Sequence, residues 1–263
     1  MSELSTGAGG RLATPAAVLR PLPQPDAALR LFCLPYAGAG ASVYHAWSRL
    51  LPPTIELCAV QLPGREVRVR ETPYTRFGEA ITGLGEALCP LLDRPYALFG
   101  HSLGALLAFE LARWFRHRGH PEPEVLFVSS RRPPQLPEPY PPVADLPDEE
   151  FTAKIQERYG GIPQVILQEP ELMRMFLPIL RADFKVLESY RYSVEPPLAC
   201  ALAVFGGSED AIATPSALHE WQQHTAAAFS MRQFAGGHFY LQTARAEVVA
   251  SVVDVLLASN LLR

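Results

Sequence analysis

Three segments of the chain carry residue types able to do nucleophilic chemistry. The first, Gly100-His101-Ser102-Leu103-Gly104, fits the pattern G-x-S-x-G. YALFG leads into it with the character of a strand, and LGALLAFELARWFRHRG leads out with that of a helix stopping at Gly119. A serine at such a strand-turn-helix junction sits on a strained, exposed backbone, and its flanking glycines are needed because the turn is crowded. The helix N-terminus adds unpaired N–H groups and the positive end of its dipole. The plainer reading is a glycine-rich turn whose serine caps a helix.

A serine hydroxyl is a poor nucleophile without a base, and the base needs an acid to orient it. With a turn of this kind the acid and then the histidine follow in the chain, each after a later strand. His117 and His120 end the helix after Ser102, and His219 and His224 lie in the helical stretch SALHEWQQHTAA; all read as surface positions. His238 sits in AGGHFYL, a Gly-Gly loop after the last strand, and is the expected base; otherwise it caps the final helix. His101 is rejected as the base, because neighbours on a sharp turn point apart. After ACALAVF comes GGSEDAIATP, where Glu209 and Asp210 both qualify as the acid and Asp210 is favoured. Asp183, in a helical stretch, reads as an ion-pair or capping carboxylate.

An oxyanion hole needs two backbone donors. Leu103 N–H follows the nucleophile directly. The second comes from the glycine-rich loop Leu34-Pro35-Tyr36-Ala37-Gly38-Ala39-Gly40, where Ala37 N–H is the choice. A phosphate-binding loop competes for that segment, but the lysine of G-x-x-x-x-G-K-[ST] is missing.

Positioning these groups requires a sheet. Strands are expected at 29–34, 54–60, 95–100, 124–129, 199–205 and 229–234, mostly as continuous apolar runs, the mark of parallel strands covered on both faces. Helices are expected at 43–50, 76–91, 103–117, 216–227 and 244–258. The alternation indicates an α/β fold with a mostly parallel central sheet flanked by helices. Between 131 and 197 no strand is evident. A proline-rich connector at 133–147 precedes helical patterns at 147–159, with Asp148 as N-cap, and at 170–190, which Pro178 divides or kinks. An insertion of that size over the strand ends reads as a helical lid within a single domain spanning 1–263.

The 263 residues are 48% hydrophobic and carry a formal net charge of −4, which argues against a nucleic-acid binder. Every apolar run breaks before the ~18 residues a membrane span needs. The N-terminus lacks a basic start followed by an apolar stretch, so a cytoplasmic protein is expected, disordered over 1–16. The four cysteines are scattered without a CxxC pair and read as reduced thiols, not metal ligands.

Taken together, LFCLPYAGAGAS, QLPGRE, ALFGHSLGALLAFELAR, PPQLP, LPDEEF, GGIP, PELMRMFLPILRADFKVLESY and GGHFYL closely resemble the type II thioesterases of polyketide and nonribosomal peptide synthesis. Vertebrate medium-chain thioesterases acting with fatty-acid synthase are similar. The resemblance implies an α/β-hydrolase fold, Ser102, Asp210 and His238 as triad, and Ala37 with Leu103 as oxyanion hole. It also implies hydrolysis of acyl thioesters on the phosphopantetheine arm of acyl or peptidyl carrier proteins; a monomer without a cofactor is expected. Tyr36, Leu172, Met173, Phe176, Leu177, Leu180 and Phe184 are candidates for binding the acyl group, although the lid residues among them equally suit packing of lid on core. Arg65, Arg68, Arg70 and Arg76 form a basic cluster, a docking surface for an acidic carrier or simply solvated charge. The competing functions are a general esterase or lipase acting on small free esters, and a non-catalytic binding protein on the same scaffold.

Overall fold

The computed structural model describes residues 17–259; the segment expected to be disordered, 1–16, lies outside them. One sheet of seven strands has the order β1-β3-β2-β4-β5-β6-β7. The strands are β1 (Val18–Leu19), β2 (Leu29–Leu34), β3 (Ile55–Val60), β4 (Tyr96–His101), β5 (Val125–Ser129), β6 (Ala201–Gly207) and β7 (Phe229–Phe234). All pairings are parallel except β1 with β3. The two-residue β1 leaves no readable pattern and is absent from the sequence reading. Every residue of β2, β3, β4 and β5 is buried, which accounts for their unbroken apolar runs. At the edge, β7 exposes four consecutive residues, including Arg232.

Helices α1 (Phe77–Leu88) and α2 (Leu103–His117) cover one face, and α8 (Arg245–Ala258) with Tyr44 and Trp47 covers the other. Several helices differ in type or extent from the sequence expectation. Residues 43–50 form 3-10 turns at Ala41–Arg49. The stretch 216–227 is α6 (Pro215–His219) followed by a 3-10 segment, Glu220–His224. It stops because Thr225 bridges to Leu198 beside the sheet and its hydroxyl donates to the Cys200 carbonyl. The last helix is preceded by a separate turn, α7 (Tyr240–Thr243).

Between β5 and β6 the chain forms α3 (Asp148–Tyr159), α4 (Gln164–Gln168) and α5 (Pro170–Ser189), with an apolar cluster of their own that includes Phe151, Ile155, Leu177, Leu180 and Phe184. Pro147, not Asp148, is the N-cap of α3; Asp148 is its first residue, and its carboxylate accepts from Arg181 of α5 at 2.6 Å. Helix α5 runs through Pro178 as one element, although that proline has no N–H for the carbonyl of Arg174.

Parallel strands end together, so β2, β4, β6 and β7 deliver their following loops to one edge: Leu34 pairs with Gly100, His101 with Ser129, and Gly207 with Phe234. The approach of β4 to α2 is equally tight. A Cβ on Gly100 would lie 2.0 Å from the Gly104 carbonyl oxygen, and one on Gly104 would lie 2.1 Å from that of Leu34. Both clashes are with backbone, which cannot rotate away. Gly100→Ala is therefore expected to destabilise the protein by about 1–3 kcal/mol or more, as overpacking does, read as a lowered urea midpoint.

Candidate active site

Ser102 stands between β4 and α2 with φ 54° and ψ −112°, in the left-handed half of backbone space that a side chain with a Cβ rarely enters. Its N–H donates to the Ser129 carbonyl at 2.8 Å, tying the turn to the neighbouring strand. The hydroxyl donates to His238 Nε2 at 3.0 Å, and His238 Nδ1–H donates to Asp210 Oδ2 at 2.8 Å. The other carboxylate oxygen, Oδ1, accepts from the amides of Ile212 and Ala213, each at 3.0 Å. Burial would raise the Asp210 carboxyl, but the hydrogen bond and charge of His238 and these amides outweigh it and hold it at about 2. An ionised Asp210 fixes the proton on Nδ1 and leaves Nε2 free to accept from serine. Glu209, the other candidate acid, is exposed and joins the loop through its backbone amide, which donates to the Gly236 carbonyl.

The loop carrying His238 passes close over the end of β6. Gly236 has φ 118°, and a Cβ on Gly207 would stand 2.3 Å from the Gly237 carbonyl. His101 is completely buried, its ring centroid 5.5 Å from that of His238. Burial, followed by the charge of His238, lowers it to about 3, so it stays neutral. Its Nδ1 meets Ser129 Oγ at 2.8 Å, and that oxygen meets the Tyr240 hydroxyl at 2.5 Å. Ser129 thus binds the Ser102 turn through its carbonyl and, through its side chain, the segment that follows His238, a part its ordinary place in a strand gave no sign of.

Above Ser102 and His238 lies a narrow, mainly apolar cavity. Ala37 and Tyr36 line it from the loop after β2, and Phe176, Leu180 and Phe184 line it from α5. Met173 and Leu177 do not line the cavity and pack in the cluster of the insertion, while Leu172 is exposed. Tyr159 and Phe239, which the sequence reading did not name, border it; the Tyr159 ring stands 5.2 Å from His238. Leu103 opens α2, so its amide is one of the first-turn N–H groups that have no partner within a helix.

Two surface assignments fail. Arg65 is buried and bound to the Asp183 carboxylate, so it cannot contribute to a docking surface. Arg68 is engaged by Glu71 and the Gln61 carbonyl, which leaves Arg70 and Arg76 as the exposed members of the cluster. His224 is likewise buried, its Nε2 2.6 Å from Gln135 Oε1.

The family described as "Thioesterase domain" matches residues 29–256. Gramicidin S biosynthesis protein GrsT of Aneurinibacillus migulanus is 42% identical over 223 residues, 85% of this chain and 87% of its own. Thioesterase PikA5 of Streptomyces venezuelae is 39% identical over 239 residues, 90% of this chain and 84% of its own. Among solved structures, the type II thioesterase BorB from the borrelidin biosynthetic cluster superposes with a TM-score of 0.82 at 37% identity, covering 94% of this chain and 97% of that one.

The buried histidines set an acid limit on stability. From the ordinary 6.5, burial lowers His101 to about 3; burial, then the charge of Arg113, lowers His224 to about 4. Below pH 6.5 the unfolded chain takes up protons that the folded protein refuses, so stability falls as pH falls. Each histidine contributes up to about 1.4 kcal/mol per pH unit until its folded value is reached. Asp210 adds its own loss only below about pH 4. Urea midpoints between pH 6.5 and 4.5 should decline, and His224→Gln should make the decline shallower.

Proposed function

The chain belongs to the thioesterase family and is a type II thioesterase, a serine hydrolase of acyl thioesters; from that premise we propose that Ser102, His238 and Asp210 perform the hydrolysis on acyl groups borne by the phosphopantetheine arm of carrier proteins. The observation that carries the residue assignment is the hydrogen-bonded line Ser102–His238–Asp210 at the floor of an apolar cavity.

The chemistry follows from the geometry. His238 Nε2 takes the serine proton as Ser102 Oγ attacks the thioester carbonyl. Asp210, held ionised, stabilises the imidazolium that results. The tetrahedral oxyanion is met by the amides of Ala37 and Leu103. When the C–S bond breaks, His238 returns its proton to the departing sulfur, and the acyl group stays on Ser102 as an ester. A water molecule then gives a proton to His238 and attacks that ester, releasing the acid and restoring the serine. No cofactor enters either half.

Helices α3, α4 and α5 act as a lid. Helices α3 and α5 supply the apolar wall of the cavity, and aromatic and aliphatic side chains there suit acyl chains of varied size. Releasing stalled or wrong acyl groups from polyketide or nonribosomal peptide synthases is the task these features serve, in the cytoplasm. No described helix is long and apolar enough to cross a membrane.

Mass spectrometry of a panel of acylated carrier proteins incubated with the enzyme should show loss of the acyl mass. Ser102→Ala should lower kcat by about 10⁴-fold or more. A kcat/KM for small oxyesters above that for carrier-bound thioesters would replace this reading with that of a general esterase.

A further inference from the structure

The glycine-rich loop after β2 is held by a helix of the insertion. Gly38 N–H donates to Asp183 Oδ2 of α5 at 2.7 Å. Arg65 grips the same carboxylate with both arms, Nη1 to Oδ2 at 2.6 Å and Nη2 to Oδ1 at 2.7 Å, and Nη1 also donates to the Ala39 carbonyl at 3.1 Å. The two charged side chains are only 4% and 3% exposed. An ion pair this deep is a poor source of stability, because stripping both charges of water offsets much of their attraction.

Its place in the loop supplies a different reason for it. The Ala39 amide donates to the Tyr36 carbonyl at 3.0 Å, and Gly38 has φ 80°; residues 36–39 therefore form a turn of the type that needs positive φ at its third residue. The peptide before Ala37 is fixed by that internal bond, through the Tyr36 carbonyl. The peptide after Ala37 is fixed by Asp183, through the Gly38 N–H. With both flanking planes held, the Ala37 amide has one direction. The contact is close because Gly38 has no side chain: a Cβ there would stand 2.7 Å from Phe176 and 3.0 Å from Leu180. Phe176, Leu180 and Asp183, spaced i, i+4, i+7, present one face of α5 to this single residue.

We infer that Arg65 and Asp183 are positioning residues for oxyanion stabilisation: the buried pair orients the Ala37 amide from the lid helix, so the oxyanion hole is complete only when α5 is seated. The inference rests on Ala37 acting as an oxyanion donor in the hydrolysis proposed above.

The test compares wild type with the double variant Arg65→Met plus Asp183→Leu, which removes both charges together, strands neither and keeps apolar bulk. Three quantities are read beside the urea midpoint: kcat and KM on an acyl-pantetheine thioester, inhibition by an alkylboronic acid, and inhibition by the free carboxylic acid product. The boronic acid becomes tetrahedral and anionic on Ser102 Oγ and so reports the oxyanion hole; the product acid reports the cavity. The folded double variant should lose roughly 10²-fold in kcat and in boronate affinity, with KM and product affinity within about threefold of wild type. A folded variant whose kcat and boronate affinity both stay within about twofold of wild type overturns the inference. Should the double variant fail to fold, Arg65→Lys decides: it keeps the charge but loses the fork, and about tenfold weakening of the same two quantities is expected, unchanged values being fatal. If wild type neither turns over the thioester nor binds the boronate, hydrolysis at Ser102 has failed and the inference falls with it. Wild-type activity with unaffected variants sinks the inference alone.

Discussion

The backbone of Ser102 is the constraint on which the rest of the molecule depends. A serine at φ 54° is held against its own preference, at a cost of order 1–3 kcal/mol, and it persists only because its surroundings leave no alternative. Those surroundings are the parallel sheet. Strand β4 lies between β2 and β5, α2 packs back against both β4 and β5, and the Ser129 carbonyl takes the serine amide. Gly100 and Gly104 let β2, β4 and the start of α2 approach to distances no side chain permits. The packing that fixes this turn is the same packing that forms the apolar core, so the strained residue is secured by the fold as a whole.

Around the turn, most buried polar groups are matched, although His101 Nε2 has no hydrogen-bond partner among the described residues. Asp210 has His238 on one oxygen and two amides on the other. His101, beneath His238, is kept neutral and linked through Ser129 to Tyr240, two residues beyond the base. The Ser102 turn and the segment after His238 are consequently bound to one strand residue by a short chain of hydrogen bonds.

Groups whose position follows from local rules were readable in the sequence; groups whose position depends on distant partners were not. Strand–turn–helix context singled out Ser102, and a glycine pair after the last strand singled out His238, because both signals lie within a few residues of the group concerned, and the fold brings the two into hydrogen-bond contact. The parallel sheet was legible because strands covered on both faces become unbroken apolar runs. Arg65 read as surface charge because its partner, Asp183, is 118 positions away. His224 read as a surface residue because its helical pattern ends early, where Thr225 is drawn toward Leu198, and nothing local announces that bridge. Of the six insertion residues considered for the acyl group, helical periodicity could say which share a face, but not whether that face meets the cavity or the insertion's own core. Leu177 and Leu180 lie three positions apart on one helix and are both buried, and of the two only Leu180 reaches the cavity.

The missing hydrogen-bond rung at Pro178 gives α5 two mechanical characters. Beyond it the helix is tethered: Asp183 to the Gly38 amide, Glu188 to the amides of Val143 and Ala144, Ser189 to that of Phe77. Before it, Leu172 and Met175 face solvent and Phe176 overhangs the cavity. A helix bends most easily where a rung is absent. The insertion is thus built like a tongue fixed at its root, with its easiest bending point at Pro178, between the cavity-lining Phe176 and Leu180.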